Sequence, residues 1–543
     1  MTQDKPIYIL PENMQRTIGK DAQRNNILAA RLVADSVKTT LGPKGMDKML
    51  VDSTGNIVVT NDGVTILEEM DIEHPAAKMM VDIAKTQENE VGDGTTTAVV
   101  LAGMLLENAE TLLDKKIHPS VITKGYKLAE KQAMKILEEL SREVNPNQEE
   151  VLRYVAMTAM TGKGAETSKN KLSELIVKAI AQVADQKEGR VEIELDDIKI
   201  EKSKGQNIEN SELIKGIVLD KERVNMDMPS SVENSRIALV DFPIEIKNPE
   251  AEAKISVSSP EQLQSFIQSE EKMLKDIVNK IVASQSNVIF CQKGIDDLAQ
   301  YYLAKNNIYA CRRVPKSDME KIAKATGGRI ISSIAELNEG ELGRAMRVRE
   351  VREGEEKMTY IEGCENPKAV SILIRGGSDH VLDEIERAIK DGLGDVASVL
   401  KQGKIVAGAG AVEMELSKRL KEFGNTLTGR KQLAVNAFAE SLESIPNILA
   451  ENGGLDPIDI LTELKSRHEK GEINAGINIL TNRVEDSLEA GIIEPAKIKF
   501  QAISSATEVA IMILRIDDVL AAGNGPSNKK SVPDMGGMGM SEY

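Results

Sequence analysis

The stretch Val91-Gly92-Asp93-Gly94-Thr95-Thr96-Thr97-Ala98-Val99-Val100, VGDGTTTAVV, sets two glycines around a carboxylate, then three hydroxyls, then an apolar run. Gly92 and Gly94 permit close backbone approach and left-handed dihedrals, and the threonines stand where a helix begins. Free N–H groups and hydroxyls at such a start bind anions. Asp93 is unfavourable beside a phosphate unless a cation lies between them, so this reading implies phosphate with Mg²⁺. The same residues also make a plain Gly-Asp-Gly turn with a threonine cap, and the residues alone leave both readings open.

Working outward, the flanking segments NNILAARLVADSVKTTL and AVVLAGMLLENAETLLDKK carry apolar residues at spacings of three and four. They predict long amphipathic helices from about 22 to 140. KMLVDSTGNIVVTNDG alternates instead, and predicts a hairpin around Thr54-Gly55-Asn56. After Val144-Asn145-Pro146 the pattern changes, and strand-like pieces appear from Arg190: RVEIELDDIKIEKSKG and GIVLDKERVN. Between 235 and 364 strands and helices alternate, which predicts a βαβ-type layer. A helix resumes over 378–400, and 411–517 reads as mostly helical. The outer thirds therefore belong to one class and the middle to another, as in a helical base split by an α/β insertion. The Gly-, Ser- and Met-rich tail GNGPSNKKSVPDMGGMGMSEY is expected to be disordered.

Composition narrows the function. The 543 residues suffice for roughly three or four domains of ~150 residues. A net charge of -17, from 69 basic and 86 acidic residues, opposes a sequence-independent grip on nucleic acid. With 3% aromatics and no Trp there is little material for base stacking. Cys291, Cys311 and Cys364 lack metal-ligand spacing, and the four histidines do too, so zinc hydrolysis is not indicated. The longest apolar run, 98–106, is shorter than the ~20 residues of a membrane span, and no secretory signal pattern is present. The expectation is a cytoplasmic protein with no nucleic-acid or membrane partner.

Other candidate elements are each ambiguous. Leu41-Gly42-Pro43-Lys44-Gly45 is a second glycine-punctuated loop or a helix stop, and Asn61-Asp62-Gly63 is a turn. In the helix at 378–400 the apolar stripe is Leu382, Ile385, Ile389, Leu393, Val396 and Leu400, so periodicity makes Asp391 a solvated acid beside Glu384 and Asp395. Neither GxxxxGK[ST] nor a strand-to-helix GxGxxG occurs. Ser259-Pro260-Glu261 opens a helix with Leu263, Phe266, Ile267 and Leu274 on one side, either a buried face or a partner-binding tip.

LGPKGMDKMLV, NDGVTIL, EHPAAKMMV, VGDGTTTAVVLAG, ELIKGIVLDKER, CQKGIDDLAQYYLAK, ERAIKDGLGDV, KQLAVNAFAESLESIP and the GGMGM tail fall in an order and at gaps that closely resemble the group II chaperonins, archaeal thermosome subunits in particular. The resemblance runs from about 11 to 518. It implies a multidomain α and α/β chain with an equatorial ATP-binding domain (1–147 and 406–523), an intermediate hinge domain (148–217 and 370–405) and an apical substrate-binding domain (218–369). A lid protrusion would lie near 244–274, with Leu263, Phe266 and Ile267 as substrate contacts, and 524–543 would be a disordered tail.

By the same resemblance Leu41, Gly42 and Pro43 line the nucleotide, Asp93 coordinates Mg²⁺, and Gly94, Thr95, Thr96 and Thr97 hold the phosphates. Asp62 and Asp391 look like the carboxylates that position the attacking water. Gly408, Gly410, Asn478, Ile479 and Glu494 match positions around base and ribose, and Lys163 resembles a lysine that senses the terminal phosphate. One departure is Gly408-Ala409-Gly410, where many relatives have three glycines. The implied function is an ATP-dependent machine in which identical or closely related subunits form a double ring around non-native polypeptides. A nucleotide-stabilised holdase or scaffold is the alternative, and a metabolic kinase a more distant one.

Overall fold

A computed structural model describes residues 14–522 except 52–54, 56, 147, 165–167, 188–189, 247–258, 355 and 366. Within the lid expected at 244–274, residues 247–258 and the side chains of Leu263, Phe266 and Ile267 lie outside the described residues, as do most of the turn of the early hairpin and the tail, while 260–274 open the helix Pro260–Ala283.

Both ends of the chain build one hydrophobic core. At its centre is the helix Thr95–Asp114, which packs against Gly19–Val37, Pro75–Val91, Arg430–Leu442 and Ala496–Leu514. Neighbours on nearly every side explain why this helix is apolar around much of its circumference. It is long and apolar enough to cross a membrane by composition, yet Ala98, Leu101, Leu105 and Ala109 are fully enclosed by these helices. The chain ends are tied directly, Met14–Ile18 pairing antiparallel with Asp518–Ala522, and Arg16 bonds Asp518 at 2.6 Å. The early hairpin forms from Lys48–Val51 and Ile57–Thr60.

A second core gathers the helices Glu149–Met160, Lys169–Val183 and Asp379–Gln402 with the strands Ile198–Lys204 and Val370–Gly376. The last two strands pair in parallel. Because one strand precedes residues 216–362 and the other follows them, the intervening chain is held by two adjacent crossing strands.

That intervening chain forms a seven-stranded sheet. Val288–Cys291 and Tyr309–Cys311 lie parallel to Ser231–Val240, with the helices Pro260–Ala283, Asp297–Lys305 and Lys316–Thr326 between successive strands. The expected βαβ layer is only half of it. Gly343–Glu353, Glu356–Glu362 and Gly216–Leu219 extend the sheet antiparallel. Leu274, Val278 and Ile281 seal the helix Pro260–Ala283 onto one face. The three cysteines are buried here and unpaired, and burial pushes their thiols up to about 11, 12 and 11 for Cys291, Cys311 and Cys364.

Candidate functional site

The helix Pro75–Val91 ends on Gly92 at φ 87°, and Thr95–Asp114 starts one residue after Gly94 at φ 78°. Two left-handed residues so close together turn the chain sharply, which is why glycine occupies both. Gln87, fully buried, clamps the corner by donating to the carbonyls of Asp93 (2.8 Å) and Ile498 (3.4 Å). No side chain caps the new helix at Gly94, so its first-turn N–H groups remain available for an anion. A Cβ on Gly94 would stand 2.6 Å from Ile498 Cγ2.

Three other loops close around this helix start, and together they enclose a cavity of about 410 Å³, within the ~300–1,000 Å³ usual for ligand pockets. Leu41, Gly42 and Pro43 form one wall, steadied by Asn452 donating to the carbonyls of Lys38 and Leu41, both at 2.9 Å. Asp62 caps the helix Gly63–Glu69, its Oδ2 accepting from Thr65 N–H (2.9 Å) and Oγ1 (2.6 Å), and the next residue, Gly63, abuts Thr96, whose Oγ1 would lie 2.4 Å from an added Cβ. Gly162 brings Lys163 in: a Cβ there would meet Gly42 O at 2.8 Å and Pro43 Cα at 2.9 Å. Asn61 donates to Gly162 O at 2.8 Å and locks the two loops together.

The acids concentrate in one corner. Lys163 bonds Asp391 and lies 3.7 Å from Asp93. Burial lowers the pKa of Lys163, but Asp391 and Asp93 outweigh it and hold the ammonium charged. Asp391 is raised to about 7 by burial, with Asp93 and Asp62 adding and Lys163 opposing. Burial, then Asp391, Asp62 and Asp93, push Glu88 up to about 8. The carboxyl of Asp395 is raised well above the ordinary range, chiefly by burial, and its Oδ1 has no hydrogen-bond partner.

The periodicity reading of Asp391 is therefore corrected. Its side chain is 13% exposed and ion-paired, that of Glu384 is 16% exposed, and Asp395 is buried. The stripe opposite the apolar one is covered because the helix Asp379–Gln402 is wedged against the helices Pro75–Val91 and Ala496–Leu514 as well as its own core.

At the other end, Ala409, Gly410, Asn478, Ile479 and Glu494 line the cavity. Gly408 does not; it stands behind Glu494, where a Cβ would lie 2.7 Å from Oε1. Asn478 spends its amide locally, bonding Glu485 through Nδ2 and accepting from Leu480 N–H at 3.0 Å. Ala409 sits at φ 58°, its carbonyl accepting from Ile477 N–H at 2.9 Å. The sequence reading missed Lys499 and Glu413. Lys499 bonds Glu494 (2.6 Å) and Glu413 (2.8 Å) in a buried triad that fixes the Glu494 carboxylate. A lysine on an otherwise apolar helix face was the available signal.

Residues 33–524 match the model of the TCP-1/cpn60 chaperonin family. The chain belongs to this family, and is an ATP-dependent chaperonin whose chemical reaction is ATP hydrolysis. It is 58% identical over 518 residues to a thermosome subunit of Methanopyrus kandleri, covering 95% of each chain. It is 56% identical to thermosome subunit beta of Archaeoglobus fulgidus, covering 99% of this chain and 98% of that one. Among solved structures it resembles the open-state monomer of a group II chaperonin from Methanococcoides burtonii, with 47% identity, a TM-score of 0.59, and coverage of 78% of this chain and 100% of that one.

Proposed function

We propose that the cavity between the four loops holds ATP with its phosphates on the Gly94 to Thr97 corner and its base toward Ile479 and Glu494, and that hydrolysis there moves the helix Asp379–Gln402. The observation that carries this reading is the corner itself: an uncapped helix start, glycine-shaped for close approach, faced by Asp62 and by the Lys163–Asp391 pair. Asp62 is rigidly oriented by Thr65 and would accept a hydrogen from the attacking water; Asp391, which lines an adjacent cavity, would do the same once the hinge core brings it to the corner. Water attack forms a bond to the γ-phosphorus, the bond to the bridging oxygen breaks, and ADP leaves with that electron pair.

Asp93 is the residue that would hold Mg²⁺, with the orphaned Asp395 Oδ1 nearby. The fit is electrostatic: Asp62, Asp93, Asp391 and Asp395 share one corner with Lys163 as their nearby cation. Bound there, the ion would supply positive charge to the phosphate oxygens.

The two helical cores and the sheet body correspond in this reading to an ATP-binding base, a hinge and a substrate-binding domain. Because Asp391 rides on the hinge core while Asp62 and Asp93 belong to the base, completing the site requires the two to approach, and the sheet body moves with the hinge. Subunit contacts are supported by open-edged two-stranded ribbons bearing exposed Ile18, Met49, Val51 and Ile57. The high-pKa, unpaired thiols suit a reducing cytoplasm.

Refolding of a denatured enzyme with ATP against a non-hydrolysable analogue tests the cycle. Higher yield with ATP is expected; equal yields would indicate a holdase.

A further inference from the structure

Beside the nucleotide cavity, the front one, lies a second, rear cavity of about 280 Å³, and neighbouring residues of the same elements line one or the other. Along the corner, Val91 and Gly92 face the rear cavity while Asp93 and Gly94 face the front. On the hinge helix Asp391, Gly394 and Ser398 face the rear and Asp395 the front; Lys497 lies behind and Lys499 ahead. Lys163 lines the front cavity and its partner Asp391 the rear one, so their ion pair joins the two linings. Beside it the hinge helix meets the corner at Gly394, whose added Cβ would stand 3.3 Å from Val91 O and 3.7 Å from Gly92 Cα.

The rear cavity has the chemistry of an anion site. Ser398 is 8% exposed, and its buried Oγ has no hydrogen-bond partner. Lys401 has no ion-pair or hydrogen-bond partner among the described residues. Lys390 and Lys497 also line it, paired with Glu386 (2.7 Å) and with the backbone carbonyl of Glu90 (2.7 Å). Of the acids on its wall, Glu90 lies 3.9 Å from Lys497 and Asp391 is held by Lys163. Glu88 also lines the cavity, its carboxyl pushed up to about 8 by burial.

We infer that the rear cavity is the exit site for the inorganic phosphate produced by hydrolysis, and that the phosphate passes the Lys163–Asp391 pair on its way. The inference rests on the proposed nucleotide pose, in which ADP blocks the front of the site and leaves the phosphate at the corner. The pair parts when the Lys163 ammonium swings toward the departing phosphate, and the Gly92–Gly394 contact, with no side chains to interlock, offers little resistance to movement of the hinge core against the corner. Phosphate then meets the Ser398 hydroxyl and the Lys401 ammonium.

The test compares single-turnover hydrolysis, by acid quench, with phosphate release, by a fluorescent phosphate sensor, in the intact oligomer. Ser398→Leu fills the cavity, and Lys401→Glu reverses an exposed charge at no packing cost, so it decides the matter if the first variant does not fold. In both, hydrolysis should stay within about twofold of the parent while release lags at least several-fold behind it. Release that coincides with hydrolysis in Lys401→Glu overturns the exit site. Absence of hydrolysis in the parent would instead overturn the nucleotide pose on which it rests.

Discussion

Replacing Gly94 by alanine isolates what the glycine corner contributes. Its φ of 78° lies in the left-handed region, where a Cβ costs roughly 1–2 kcal/mol. The added methyl would also stand 2.6 Å from Ile498 Cγ2 and 3.1 Å from Gln87 Nε2, an overpacking typically worth about 1–3 kcal/mol. Together these load the corner with roughly 2–5 kcal/mol, which relaxes by shifting the helix start or breaking the Gln87 clamp. If about half is taken from the bound state, at ~1.4 kcal/mol per tenfold, nucleotide affinity falls ~5- to 60-fold. Titration with a fluorescent ADP analogue reads this directly. Gly55→Ala is the control, since Gly55 has φ 91°, nothing within 4 Å of its would-be Cβ, and no place in the cavity lining, so it carries the backbone cost alone. Equal affinity for the Gly94→Ala and Gly55→Ala proteins would refute the reasoning.

Three further outcomes follow from the same geometry. Ala409→Gly should raise thermal stability by about 0.5–1 kcal/mol per subunit, because relief of the left-handed strain at φ 58° exceeds the entropy glycine adds to the unfolded chain; a lower melting temperature counts against it. Lys499→Met leaves Glu413 and Glu494 buried without their cation, and should cost about 3–5 kcal/mol, partly recovered by adding Glu413→Gln; denaturant melts of both variants check it. Glu88, raised to about 8 and facing Asp391, Asp62, Asp93 and Lys163, favours the fold in its protonated form. Its contribution is complete below its ordinary value of about 4.5 and is lost as pH rises through about 8. Nucleotide-free protein should therefore lose urea resistance between pH 5 and 8 on the order of that window, and Glu88→Gln should flatten the loss.

How much of this was legible in the sequence depended on what each residue touches. The nesting of an α/β segment within helical thirds follows from periodicities of three to four giving way to two, because that pattern reports local burial. The corner at VGDGTTT was legible as chemistry, since glycine and threonine act through their own backbone. Asp391 was not, because helix periodicity sees one buried face, and here Glu88, Lys163 and Ser398 gather on the other. The antiparallel strand Gly343–Glu353 escaped for a related reason: Arg344, Arg347, Arg349 and Arg352 mask its alternation, although Arg347 and Arg349 are absorbed by Glu362 on the neighbouring strand. Ala409 in a left-handed turn between two glycines was visible only as a departure from the expected triplet.

Turnover of Asp391→Asn tests the central claim most directly, because the proposed function has this side chain brought to the hydrolytic corner by the core that carries it. The substitution keeps the shape and removes the charge, while Lys163 retains Asp93 at 3.7 Å. Loss of a water-positioning carboxylate predicts a fall in kcat of about 10²- to 10⁴-fold, or ~2.7–5.4 kcal/mol, with nucleotide affinity within a few-fold of the parent. Parental turnover in this variant, with nucleotide bound as before, would contradict the account.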